Sequence, residues 1–470
     1  MSNNPHPLVA VMNHETKGKI LVTTESVKKG SEVLREKPLM LICDSTSNST
    51  NNWIPQPNSL SAIDPFMWNA FAQFSHLFED EQKQFGECFC DVHCPKADAI
   101  RSICSSNTHT LDDSSVELLV RVAMVMEFNA KYVSDDLGFG LFPCSCKAAH
   151  SCRANCEWFT AEDGSGCNII QAVEDIAEGE EVTVNYNPAE SLLPINERAV
   201  YLMSSKRFKC NCSRCNAPYD DTRCFSCATA TCLGHCYASN NPTHSENTLT
   251  SCNICHSTPN LAQTIQLIAN ETRLAKQLLE LTRKLAYLGQ VQAPYQIVVA
   301  LIPIHPHHFL SAQVFQLKRN SARSEGDLVL EIDSTKSRIE YLNGILAFNN
   351  PLVASEYYGL GSALFNSLAV DGTNSKVLIE CQAALRSSVR MFTICYGVGH
   401  SLNKESVVKL TSVQLLMQWN HVVVAPKDGC SLCGLRGDAF LCCSRCSKVA
   451  YCYKEHQRAQ WPLHKMHCKV

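Results

Sequence analysis

Between Cys430 and Cys468 the chain reads Cys430-x-x-Cys433, Cys443-x-x-Cys446, Cys452-x-x-x-His456 and His464-x-x-x-Cys468. This spacing constrains the fold more than any other feature. Eight Cys and His side chains make ligands for two tetrahedral zincs, and a segment this short has no core without metal. Upstream, Cys210-x-Cys212-x-x-Cys215 is too tight for a disulfide framework and has the spacing of a metal clasp. A tetrahedral zinc there needs a fourth ligand, and Cys152 is the natural candidate. Next come Cys224-x-x-Cys227 and Cys252-x-x-Cys255, two pairs joined by a polar loop, which read as a zinc knuckle. Cys232, His235 and Cys236 lie between the pairs and leave the ligand set of the knuckle open. Four sets of four ligands predict four structural zincs.

With 470 residues the chain has room for two to four domains. Its 28 cysteines would suit a secreted disulfide protein, but most are clustered pairs, and the stretch Met1 to Pro7 lacks the apolar run of a signal peptide. The expectation is zinc ligands in a reducing compartment, cytoplasm or nucleus, and the sequon at Asn48-Ser49-Thr50 is then chance. No window is long enough for a transmembrane helix. A net charge of −4 argues against direct nucleic-acid binding.

Thr16 to Val22 and Ser26 to Leu34 read as strand, turn at Lys29-Gly30, strand. Asp44 to Ala62, rich in Ser, Thr, Asn and Pro, reads as a surface linker. Asp64 to Ile103 looks helical, with Phe66, Trp68, Phe71, Phe74 and Phe78 as a core stripe; Cys88, Cys90 and Cys94 have no evident fourth partner. Ser114-x-x-Glu117 is a capping box opening a helix that buries Leu118, Leu119, Val122, Ala123, Val125 and Met126. Val182-Thr183-Val184 alternates as a strand leading to Tyr186. From Asn260 to Asn420 helical periodicity takes over, and Ile265, Leu267, Ile268, Leu274, Leu278, Leu279 and Leu281 mark one long helix.

Three motifs in order carry a family resemblance: His150-Ser151-Cys152-x-x-Asn155, then Gly179-Glu180-Glu181-Val182-Thr183-Val184-x-Tyr186, then Phe208-x-Cys210-x-Cys212-x-x-Cys215. Together they resemble SET-domain protein-lysine methyltransferases, and the terminal module resembles the MYND zinc finger that a subgroup of that family carries. The resemblance implies an α+β fold: SET-domain β-sheets with a threaded C-terminal segment, an α-helical tetratricopeptide-like region, and small zinc-binding modules. It places the SET domain at 8–209 with a helical insertion at about 44–113, the clasp and knuckle at 210–258, the helical region at 259–425 and the finger at 430–468. Cys395-Tyr396-Gly397-Val398-Gly399-His400 is similar to a turn of the relatives' helical region, where stacked helix pairs share one core. The finger's cross-braced sets would be Cys430, Cys433, Cys452, His456 and Cys443, Cys446, His464, Cys468. Relatives carry this finger inside the SET domain, whereas here it follows the helices.

The resemblance further implies S-adenosylmethionine as cofactor, held by Lys17, Lys19, Asn129, His150, Tyr186 and Phe208, with Tyr186 catalytic. The family's opening G-x-G turn survives at Gly18 but has Ile20 for its second glycine. Its N-H-S-C-x-P-N pattern has Ala149 for the first Asn and Ala154 for the Pro, and Lys206 stands where relatives often carry a second active-site Tyr. Arg198, Leu202 and Phe208 match the spacing of the family's following helix. Methyl transfer to an amine needs a neutral nucleophile, in-line approach and a dry channel; Tyr186 at a strand end could orient the amine. The expected activity is protein-lysine N-methylation of a histone or non-histone protein by a monomer. The competing expectation, motivated by Ile20, Ala149 and Lys206, is a SET-fold scaffold that binds partners through its finger and helices. Relatives use the finger for proline-rich peptides. A turn at Pro426-Lys427-Asp428 suggests a finger that folds alone, stabilised by metal rather than by packing on the helices.

Overall fold

The computed structural model describes residues 8–43, 61–106, 111–240, 248–289, 293–346, 349–371, 374–420, 429–436, 440–466 and 468. The glycosylation sequon, nearly all of the 44–62 linker and the Pro426-Lys427-Asp428 turn lie outside them. The chain divides into two compact units, 1–186 with 200–210, and 187–199 with 211–470.

The first unit contains β1 (Val9–His14), β2 (Gly18–Thr23), β3 (Glu32–Glu36), β4 (Met40–Ile42), helices α1 (Pro65–Phe74), α2 (Glu79–Gly86), α3 (Pro95–Ser105) and α4 (Asp113–Asn129), then β5 (Lys131–Ser134), β6 (Gly138–Leu141), β7 (Ala149–His150), β8 (Cys156–Thr160), β9 (Asn168–Ala172) and β10 (Thr183–Val184). β1 and β2 form an antiparallel hairpin, and β7 and β10 a parallel pair. Two three-stranded sheets run β3-β9-β8 and β4-β6-β5. The strands flanking Lys29-Gly30 exist but are not partners. β2 pairs back on β1, and Val27 and Gly30 donate to Ile176 O (2.8 Å) and Ala172 O (2.7 Å), so distant chain satisfies that turn. Gly18 supplies the hairpin turn at φ +74°, a region costly for any residue with a Cβ.

Leu21, Val27, Leu34, Ile170, Val182 and Val184 form the core of the sheets, and Met67, Trp68, Ile100, Leu119 and Ala123 the core of the inserted helices. Two expected core positions are exposed. Phe78 stands at the start of α2, beyond the end of α1, so the stripe stops at Phe74. Leu118 faces outward on α4, which opens earlier than its Ser-x-x-Glu signal: Asp112 is the cap, accepting from Ser115 N at 2.8 Å. Cys88, Cys90 and Cys94 point their thiols at Gln84 O, Arg121 O and Met124 Sδ.

Helix α5 (Ile195–Lys206) follows. The second unit then holds the hairpin β11 (Tyr219–Ser226) and β12 (His235–Ser239), helices α6 (Leu261–Tyr287), α7 (Tyr295–Val299), α8 (Phe309–Glu325), α9 (Leu328–Ile345), α10 (Pro351–Asp371), α11 (Ser375–Tyr396) and α12 (Ser401–Trp419), and finally β13 (Leu441–Cys442), β14 (Ala450–Tyr451) and α13 (Lys454–His464). Helices α8 to α12 pack each against the next in chain order. On α6, Leu274, Leu278 and Leu281 are buried, while Ile265 and Leu279 face out. Gly397 (φ +78°) ends α11; His400 caps α12 and stacks its ring on Tyr396 at 4.4 Å.

The finger is not independent of these helices. Cys430, Leu432, Cys433 and Tyr451 share one core with Leu378, Leu385, Leu410 and Val413. Arg386 and Gln460 both donate to Ser431 O, at 3.3 and 3.1 Å. The expectation of a finger stabilised by metal alone is therefore corrected: a short zinc module still has one apolar face, and this one buries it. Among the described residues no helix is long and apolar enough to cross a membrane.

Candidate active site and metal centres

The parallel pairing of β7 with β10 sets Ala149 beside Thr183 and His150 beside Val184. Asn155 fastens the loop between them. Its Oδ1 accepts from Thr183 N (2.9 Å) and Oγ1 (3.0 Å), and its Nδ2 donates to Glu181 O (2.9 Å). The spacing that places Asn155 after His150 thus joins the first motif to the second. Tyr186, two residues past β10, donates its backbone N–H to His150 Nδ1 (3.1 Å) and its hydroxyl to Ala148 O (2.9 Å). Around its ring lie His150 at 5.2 Å, Phe208 at 6.1 Å and Trp158, nearly parallel, at 5.6 Å. Burial pushes the Tyr186 hydroxyl well above its ordinary pKa, so it is protonated at neutral pH.

Of the remaining residues expected to hold a cofactor, Lys17 pairs with Glu181 (2.6 Å) and Lys19 with Glu87 (3.0 Å). Asn129 ends α4 with its amide nitrogen donating to Phe89 O (2.8 Å) and Val125 O (2.7 Å). His150, Tyr186 and Phe208 come together, while the side chain of Asn129 is engaged by carbonyls of its own helix and of Phe89. Ile20 is buried.

Two amines, only one of them singled out in the sequence, face this aromatic group. Lys206 donates to Phe128 O (2.9 Å) and lies 6.0 Å from the centre of the Tyr186 ring. Lys131, at the start of β5, holds its Nζ 3.1 Å from the centre of the Trp158 ring and 3.4 Å from Asn168 Oδ1. Asn168 in turn donates to Ser145 Oγ (2.9 Å), which donates to Glu36 (2.7 Å). Burial pulls the Lys131 amine down to about 7, and the Lys206 charge works in the same direction. Burial also lowers Lys206. Sequence reasoning missed Lys131 and Trp158. Nothing in the alternation of a four-residue strand separates a lysine that faces a tryptophan from one that faces water.

Four groups have the composition of zinc sites, their ligand atoms all within 4.8 Å of one another: Cys152, Cys210, Cys212, Cys215; Cys227, Cys232, Cys252, Cys255; Cys430, Cys433, Cys452, His456; and Cys443, Cys446, His464, Cys468. Zinc–thiolate bonds of ~2.3 Å in a tetrahedron put sulfurs about 3.8 Å apart. The measured edges fit: 3.6 Å for Cys227–Cys255, 3.7 Å for Cys232–Cys252, 3.6 Å for Cys433–Cys452 and 3.7 Å for Cys443–Cys468. In the finger, His456 Nδ1 and His464 Nε2 are the ring nitrogens that face the cysteine sulfurs. Arg198, fully buried, directs Nη2 to Cys215 Sγ at 3.7 Å, a cation placed to favour the thiolate.

In the knuckle the structure differs from the expected set. Cys232 takes the place assigned to Cys224. Cys224 lies inside β11, directly opposite Tyr237, whereas Cys227 is past the strand end, free to turn with Cys232 toward Cys252 and Cys255. Gly234 makes the turn possible, since a Cβ there would fall 2.4 Å from Cys252 Sγ.

Comparison with known proteins agrees with this arrangement. The profile of the SET domain matches residues 18–187, and that of the MYND finger residues 430–468. The chain is similar to protein-lysine N-methyltransferase SMYD4 of Mus musculus, 35% identical over 17% of this chain and 10% of that protein. It is likewise similar to histone-lysine N-methyltransferase ATXR2 of Arabidopsis thaliana (38% identical, 17% of this chain, 16% of that protein) and to a SET and MYND domain-containing protein of Dictyostelium discoideum (31%, 18% and 6%). The matched stretches thus span well under a quarter of each relative. Residues 18–187 therefore carry a SET domain and residues 430–468 a MYND finger with its two ligand sets in place.

Proposed function

We propose that the protein is an S-adenosylmethionine-dependent protein-lysine N-methyltransferase with Tyr186 at its reacting centre. The observation that carries the proposal is the fixing of Tyr186 by β7 and β10, its hydroxyl donating to Ala148 O with His150, Trp158 and Phe208 around its ring. Bound S-adenosylmethionine supplies a methyl group on a cationic sulfur, which aromatic faces and carbonyl oxygens favour. Tyr186 spends its proton on Ala148 O and keeps lone pairs to accept an N–H of the incoming amine, turning the amine's own lone pair outward. A free lysine amine titrates near 10.4, so a dry aromatic wall that disfavours its charge helps the nucleophilic form. The protein's expected acceptor is a lysine on another protein. Transfer of labelled methyl from S-adenosylmethionine into cell-extract protein tests the proposal, and absence of transfer from zinc-loaded protein would overturn it.

A second reading is favoured by the two amines. Lys131 and Lys206, wherever protonated, add positive charge beside the rings, and Ala149 and Ile20 replace an amide and a glycine of the family pattern. A cationic cofactor is then disfavoured, and the protein acts as a scaffold through its finger and helices, the finger taking proline-rich peptides. Calorimetric titration with S-adenosylmethionine separates the readings: binding supports the enzyme, no heat from folded protein the scaffold.

A further inference from the structure

The Cys224 that the knuckle leaves out is not idle. In β11 and β12, Cys224 is opposite Tyr237 and Ser226 opposite His235. Side chains alternate across a strand pair, so Cys224, Tyr237 and His235 share one face. Phe225, Cys236 and Ala238 take the other and pack against Leu249. The segment entering α8 brings His305 onto the first face. The ligand atoms of Cys224, His235 and His305 lie within 4.8 Å of one another, from three separate stretches of chain. The His235 and His305 rings are 5.4 Å apart, and the ring of His307 lies 5.5 Å from that of His305. Cys224 is fully buried. One thiolate and two imidazoles suit zinc, whose sites with three protein ligands keep a fourth position open.

From this geometry we infer that Cys224, His235 and His305 form a fifth zinc site, separate from the knuckle and the clasp. It ties the β11–β12 hairpin to the segment that starts α8. Its fourth position is open to water or to His307, which is itself oriented by Glu340 at 3.0 Å. This site is weaker than the four closed ones for two reasons. It has one protein ligand fewer, and His305 Nδ1 accepts the His307 backbone N–H (3.1 Å), a bond that must rearrange when the ring takes a metal.

The test is zinc uptake by the full chain. Protein dialysed to its tightly held zinc is titrated with Zn²⁺ against a chromophoric chelator, and zinc per chain is counted by elemental analysis and native mass spectrometry. The wild type should take up one further equivalent that a mild chelator removes first. Cys224→Ser and His305→Gln should each lose that equivalent and keep the remainder. His305 is only half-buried, so its variant keeps the test informative should the buried Cys224→Ser misfold. A wild type with no additional uptake, or an additional equivalent that survives His305→Gln, would overturn the inference.

Discussion

Tyr186 and Lys131 both meet the Trp158 ring, and each has a measurable signature. Tyr186→Phe deletes a hydroxyl that meets Ala148 O while the ring keeps its three aromatic neighbours. In active protein, turnover should fall by about 10² to 10⁴, the range for loss of a positioned proton-handling group, with cofactor binding and thermal midpoint little changed. Full turnover in the variant would exclude Tyr186 from the reaction. Lys131 gives a pH signature instead. Its amine titrates near 7 in the folded protein and near 10.4 when unfolded, so between those values the unfolded chain holds more protons. Stability contributed by this group therefore rises with pH across that window, and the burial penalty is full below it. Lys131→Met should stabilise most below pH 7, and the gain should shrink as pH climbs toward 10. Denaturant midpoints at pH 6 and pH 9 decide it; an equal gain at both would mean the amine is not desolvated.

Among the elements, the short parallel pair β7–β10 depends on one side chain. Asn155→Ala leaves Thr183 N–H and Oγ1 and Glu181 O without that partner, a loss of about 1–3 kcal/mol for groups shielded from water. Calorimetric melting should show the drop, and Asn155→Asp, which keeps the acceptor, should recover part of it. The knuckle offers a steric test. Gly234→Ala puts a methyl against Cys252 Sγ, and a zinc ligand has no freedom to retreat, so zinc should leave the knuckle faster under chelator. How far such elements can be read without a structure depends on whether their signal is local. The finger and clasp ligands were legible because metal spacing is written in adjacent residues. Of the zinc partners of Cys227, Cys252 and Cys255 were legible and the third was not, because a C-x-x-C pair suggests Cys224, and only the end of β11 turns the choice to Cys232. The strands at Lys29-Gly30 were legible and their pairing was not, since their partners in β1 and β9 are set by long-range register. Lys131 and Trp158 met through tertiary packing that no pattern encodes.

For the molecule as a whole, the shared core of finger and helices has a thermodynamic consequence. Tyr451 is fully buried there, and Tyr451→Ala should cost about 3–5 kcal/mol, as other large aromatic truncations do. In the full chain, stripping zinc with a chelator should lower helical circular dichroism in step with metal release from the finger. A helical signal that stays intact through complete zinc loss would mean the interface contributes little. The same packing also acts in time. Leu378 and Leu385 leave the ribosome well before Leu432 and Tyr451, and at about 5–20 residues per second the helices wait several seconds for the partner surface. Through that interval their apolar face is open to chaperones and to neighbouring chains. Zinc shortage should lengthen the wait, so the yield of newly made chain is expected to fall with metal supply.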